Sequence, residues 1–206
     1  MFAQTVNALL AGSVICPVTD PDAYSFLEDE QNLRKVATYL EAIDRTVASP
    51  SAGQSFFLIY GRGIEAPRDQ VRALQKQIMG EVQPMIEFVE LVLHARNSDV
   101  MLQPEDLIEV GAIIGAIAGS ETLRVELSAL VSSLGARPDG TDRGRFTSVI
   151  ARLVKMKYLV VADAEREIYR VTGKINLFRD LLDLLIEAMP GVEEEIEKEI
   201  AQRDLL

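Results

Sequence analysis

Residues 155–173 read KMKYLVVADAEREIYRVTG. A basic helix end runs into an apolar segment, YLVVA, then a polar turn, DAER, then a second segment, EIYRVT. Two β-branched and aromatic runs around a short polar spacer predict a β-hairpin. Upstream, TDRGRFTSVIARLVKMK (141–157) places Phe146, Ile150, Leu153 and Val154 at helical spacing, which gives a core-facing helix. Before it, SETLRVELSALVSSLG (120–135) reads as another helix, with Ser120 as N-cap and Gly135 as terminator. ARPDG (136–140) is the loop between them. Further upstream, Pro104, Glu105 and Asp106 are expected to open a helix running to about Ala118, with acids in the first turn where the helix dipole favours them. The order is helix, helix, helix, hairpin.

The same order is legible in the first part of the chain. A helix is expected from Phe2 to about Ala11, with Val6, Leu9 and Leu10 on one face and Gly12 ending it. VIC (14–16) is a short extended piece. In TDPDAYSFLEDE (19–30), Asp20 is an N-cap and Pro21 stands at the first helical position. NLRKVATYLEAI (32–43) repeats Leu33, Val36, Ala37, Leu40 and Ile43 at helical spacing. RTVAS, the turn-forming SPSAGQ and SFFLIYG then predict a hairpin over residues 45–61. The two halves share this architecture without visible sequence repetition. The expected fold is therefore mainly α with small β-hairpin wings, an α+β class: tandem winged-helix domains with a helical linker and C-terminal helices. The expected boundaries are 1–62 and 98–175 for the two domains, 63–97 for the linker and 176–206 for an acidic helical extension.

The linker is helical in pattern from Pro67 to Arg96, in two pieces, with Gly80 and Pro84 predicting a break or kink. Its second piece, MIEFVELVLHAR (85–96), is apolar around most of its circumference, too broad for one core stripe. Such a helix is buried between domains or between subunits, which makes Met85, Phe88, Val89 and Val92 candidates for a dimer or interdomain interface.

Composition narrows the functional classes. The 206 residues are 48% apolar, enough for a real core, and the net charge is −11. That charge repels phosphate at long range, so any nucleic-acid contact needs a local basic patch. One cysteine, Cys16, excludes an internal disulfide framework and a cysteine-rich zinc site, and reads as a small buried hydrophobe. The first residues lack the positive region of a secretory signal. The most apolar run, 107–119, is too short to span a bilayer and contains Glu109. A soluble, cytoplasmic protein is expected.

No phosphate-binding loop, HExxH or GxSxG motif occurs, and the one histidine, His94, has no neighbouring partner set in sequence. No catalytic residue, metal or cofactor is assigned. Gly111, Gly115 and Gly119 are spaced by four, which predicts tight helix packing inside the domain. The basic candidates for DNA contact are Arg143, Arg145, Arg152, Lys155 and Lys157 on the helix before the wing, and Arg170 in the wing. The wing also carries Asp163, Glu165 and Glu167, which favours protein contact or sequence-independent phosphate contact over base reading. The terminal acids Glu193, Glu194, Glu195, Glu197 and Glu199 read as a solvated helix end, or as a segment that meets a basic partner.

The stretch LLAGSVICPVTDPDAYSFLEDEQNLRKVATYLEAIDRTV, with QSFFLIYG after it and the wing YLVVADAEREIYRVTG, resembles the MksE and MukE-like subunits of bacterial condensins, Wadjet-type plasmid-defence systems included. ScpB proteins share the same tandem plan. The resemblance implies a non-enzymatic, nucleoid-associated homodimer. It would bind a kleisin, reach an SMC-type ATPase through that kleisin, and help the complex hold DNA, mostly independently of sequence. The rival class is a winged-helix transcriptional regulator. A small-molecule sensor would need a pocket that no sequence pattern reveals.

Overall fold

A computed structural model describes residues 1–135 and 140–188. Most of the predicted ARPDG loop and the terminal acids lie outside the described residues.

The first unit contains α1 (Phe2–Leu10), α2 (Pro21–Glu28), α3 (Glu30–Glu41), β1 (Arg45–Ala48) and β2 (Phe57–Tyr60). Asp20 caps α2: its Oδ1 accepts from the Ala23 N–H at 3.0 Å, with Pro21 at the first turn. Asp29 does the same for α3 through Asn32 N–H, which separates the two helices. β1 and β2 pair antiparallel, and Ile15 pairs with Phe56 just before β2 through two 2.8 Å backbone hydrogen bonds. Val6, Leu9, Ile15, Leu27, Val36 and Leu40 bury their side chains together as this unit's own core.

α4 (Arg68–Arg96) is one helix of 29 residues, not the two pieces expected, with Pro84 inside it. The proline ring crowds the carbonyl four residues back. That residue is Gly80, whose backbone adjusts most readily. Beyond Pro84, burial of Met85, Phe88, Leu91 and Val92 holds the helix in place. Asn97 ends it in the left-handed conformation, φ 49°.

The second unit follows as β3 (Leu107–Glu109), α5 (Val110–Ala118), α6 (Glu121–Ser133), α7 (Asp142–Lys155), β4 (Leu159–Asp163) and β5 (Ile168–Val171), with α8 (Lys174–Ala188) after it. Ser120 caps α6 as expected, and Thr141 caps α7 through Gly144 N–H. Pro104–Asp106 do not open a helix. Leu107–Glu109 form a strand on β5, with Ile108 buried between two exposed neighbours, the alternation of a half-buried strand. The sheet order is β3-β5-β4, all antiparallel. In both units the last strand thus lies between the earliest extended residues and the other hairpin strand. The class is α+β, mainly helical with small antiparallel sheets.

Met85, Phe88, Val89 and Val92 are all buried within this single chain, in one core with Ile113, Leu127, Phe146 and Leu153. The broad apolar circumference of α4 is covered by α5, α6 and neighbouring elements of the second unit, so its burial does not call for a second copy. The tight packing expected at the glycine stripe is absent: a Cβ at Gly111 or Gly115 would meet nothing within 4 Å. Among the described residues no helix is long and apolar enough to cross a membrane.

The two units meet where β5 passes into α8. Gly173 N–H donates to Cys16 Sγ at 3.2 Å, and Ser55 Oγ–H donates to Gly173 O at 3.4 Å. Asn176 Nδ2 donates to Gly53 O, and Asp180 accepts from Ser51 N–H at 2.8 Å. The expected C-terminal extension therefore begins inside this seam. A Cβ at Gly173 would lie 2.8 Å from Cys16 Cβ and 2.9 Å from Ser55 Cβ. Gly173→Ala is expected to lower unfolding stability in urea by about 1–3 kcal/mol, the usual cost of overpacking. An unchanged denaturation midpoint would show that the seam yields freely.

Candidate binding cleft

Between the units lies a partly open cleft of about 1100 Å³. One wall is the end of α1 and the loop after it, Ala8 to Ile15. The middle of α4 forms the floor from Ala73 to Glu81, and the ends of α6 and α7 form the opposite wall. The lining is small or apolar at Ala8, Ala11, Gly12, Val14, Ala73, Leu134, Met156 and Val160. Lys76, Arg152, Lys155, Lys157 and Lys174 add five cations against two acids, Asp20 and Glu81. In a chain of net charge −11 this is a local reversal of sign.

Local backbone geometry aims these cations. α7 ends at Lys155, Met156 is its C-cap, and Lys157 takes the left-handed conformation at φ 65°. Tyr158 N–H donates to Leu153 O and Lys157 N–H to Val154 O, both at 3.0 Å, which is the Schellman closure. Glycine is the usual residue at that position; here a lysine occupies it at the lip of the cleft.

At the floor, a nearly buried carboxylate is held by three donors. Glu81 Oε2 accepts from Lys174 Nζ at 2.9 Å and Tyr158 Oη at 2.8 Å, and its Oε1 accepts from Gln77 Nε2 at 2.9 Å. Lys174 also donates to Met156 O and sits 4.1 Å from the centroid of the Tyr158 ring. Burial alone would push the Glu81 carboxyl up, but the hydrogen bonds from Gln77, Lys174 and Tyr158 and the Lys174 charge outweigh it, and the net shift is downward. Tyr158 is pushed well above its ordinary value, first by burial and then by the Glu81 charge, so it remains a donor.

The structure separates the six basic candidates. Arg152, Lys155 and Lys157 line the cleft, and none of them has an ion-pair or side-chain hydrogen-bond partner among the described residues. Arg143 pairs with Glu167 of the hairpin turn, and Arg145 faces Asp142 at 3.6 Å. Arg170 is exposed on β5 and is not among the lining residues, although its cross-strand partner Val160 is. The acids of the hairpin thus act within the fold. Glu167 holds Arg143, and Asp163 accepts from the Glu165 and Arg166 amides to shape the turn. The sequence alone does not mark Lys76, Glu81, Tyr158 or Lys174. Glu81 and Lys174 stand 93 residues apart, and no local pattern links them. His94 is exposed, with Nδ1 3.0 Å from Glu126 Oε1. Among the described residues no group of His, Cys, Asp and Glu side chains could hold a metal ion.

Comparison with family models and with curated proteins gives no match for this sequence.

Proposed function

We propose that this chain is a non-enzymatic, MukE-like subunit of an SMC-type condensin complex, built from tandem winged-helix units that grip a kleisin-type partner chain. The observation that carries this reading is the doubled topology. In each unit a helix leads to a short extended segment, helices follow, and a hairpin returns so that its second strand pairs with that first segment. This order supports a winged-helix reading, in which residues 45–60 and 159–171 would be the wings and the second unit would carry one further helix. The acid-bearing second wing supports protein contact, because Arg143 is already paired with Glu167 and a phosphate would have to displace that partner. DNA holding by the assembled complex, mostly independent of sequence, is part of the proposal; base reading is not. Homodimerisation is part of the proposal, through a surface other than the buried face of α4.

The test is recovery of the tagged protein from its native cells at moderate salt, with mass spectrometry of what accompanies it. A large coiled-coil ATPase and a kleisin-like chain are the expected companions. Recovery of the protein alone, combined with a specific gel shift of a short operator, would overturn the proposal in favour of a transcriptional regulator.

A further inference from the structure

We propose that the cleft is a docking site for an acidic peptide segment with one apolar face. The proposal rests on the function above only for the source of the peptide, a partner chain.

The argument is complementarity. Lys174 is neutralised by Glu81, which leaves Lys76, Arg152, Lys155 and Lys157 exposed around the cleft without ion-pair partners among the described residues, against the one other lining acid, Asp20. Four unpaired cations around one concave surface focus a positive field, although the rest of the molecule is acidic. Between them, beside the polar Ser13, Gln77 and Ser133, stand Val14, Leu134 and Met156, which a fully hydrated anion would leave unmatched. No Phe, Tyr or Trp is among the described lining residues, so these offer no stacking platform of the kind that holds single-stranded nucleic acid. At about 1100 Å³ the cleft lies near the upper end of small-molecule pocket sizes, and it is partly open, as a chain segment requires. An acidic segment whose apolar residues share one face satisfies both the cations and the apolar side chains of the walls.

The test is fluorescence anisotropy on the full chain. The probe is a labelled peptide of about fifteen residues, rich in Glu, with Ile at every fourth position. Three comparisons accompany it: a scrambled peptide of the same composition, an oligothymidine of similar length, and carbodiimide coupling of the protein without peptide. The patterned peptide is expected to bind one to one and more tightly than the scrambled one, with affinity falling as salt rises. Lys155→Glu with Lys157→Glu is expected to weaken it about tenfold or more. Lys157→Gly, which removes a charge where φ already favours glycine, is expected to weaken binding without lowering Tm. Equal binding of both peptides, or of wild type and the double variant, would overturn the proposal. So would tighter binding of the oligothymidine at the same salt, which assigns the cleft to nucleic acid. Coupling of Lys155 or Lys157 to Glu193–Glu199 within one chain would assign it to this chain's own acidic segment. Peptide binding together with a failed recovery of the ATPase would keep the cleft and discard the condensin assignment.

Discussion

Phe88→Asp is expected to abolish folding of the second unit at ordinary temperature. Phe88 is 1% exposed and lies in the core that joins α4 to the helices of that unit. Truncating a buried phenylalanine costs about 3–5 kcal/mol through lost apolar burial and the cavity together. A carboxylate in its place adds the cost of a buried charge or of forced protonation. The sum is comparable with the whole stability of an ordinary domain, about 5–15 kcal/mol. Circular dichroism and light scattering distinguish the outcomes. Loss of the cooperative transition is expected. A folded, monomeric variant would instead show that this face serves association between copies.

Lys174→Met is expected to cost about 3–5 kcal/mol near neutral pH, because it leaves Glu81 buried without its cation. The side chains of Lys174 and Glu81 are only 18% and 15% exposed, so solvent screens the pair weakly. The effect has a definite pH dependence. In the wild type the folded-state pKa of Glu81 is lowered, so its stabilising contribution is present above the unfolded carboxyl range and is lost as pH falls through the folded value. In the variant the Lys174 hydrogen bond and charge no longer offset burial, so the Glu81 pKa moves up from its wild-type position and less of this contribution is left to lose in acid. The Tm gap between the two proteins is therefore expected to be wide at neutral pH and to narrow toward the carboxylate range. Lys174→Met combined with Glu81→Gln is expected to recover much of the loss, since no uncompensated charge remains. A gap that stays constant with pH would show that the lysine acts through its packing on Tyr158 instead.

What can be read from sequence is what neighbouring residues decide. Asp20, Ser120 and Gly135 mark helix ends because caps and terminators act within one turn. Both hairpins are legible from alternation and turn residues. Leu107–Glu109 read as helix because the acids before them imitate a helix start, while the strand is fixed by β5, some sixty residues later. The continuity of α4 is hidden because Pro84 is a local signal and the packing that overrides it is not. Arg152, Lys155 and Lys157 stand out as a basic run around one helix end. The cleft they face does not, because its walls come from residues near 10, 77, 134 and 156. Nor does sequence tell free cations from paired ones: Arg143 and Lys155 look alike until Glu167 is placed beside one of them.

The close approach at Gly173 also gives the molecule a chemical reporter. Cys16 is the single thiol of the chain, it is fully buried, and its sulfur accepts the Gly173 amide across the seam. A thiol reagent in water must wait for the seam to part before it reacts, so the labelling rate of the intact protein follows how often the two units separate. Ribosomal synthesis delivers Cys16 long before Gly173, and the first unit has its own core to fold around in the interval. The nascent chain therefore carries its thiol unprotected on that side until the start of α8 emerges and closes over it.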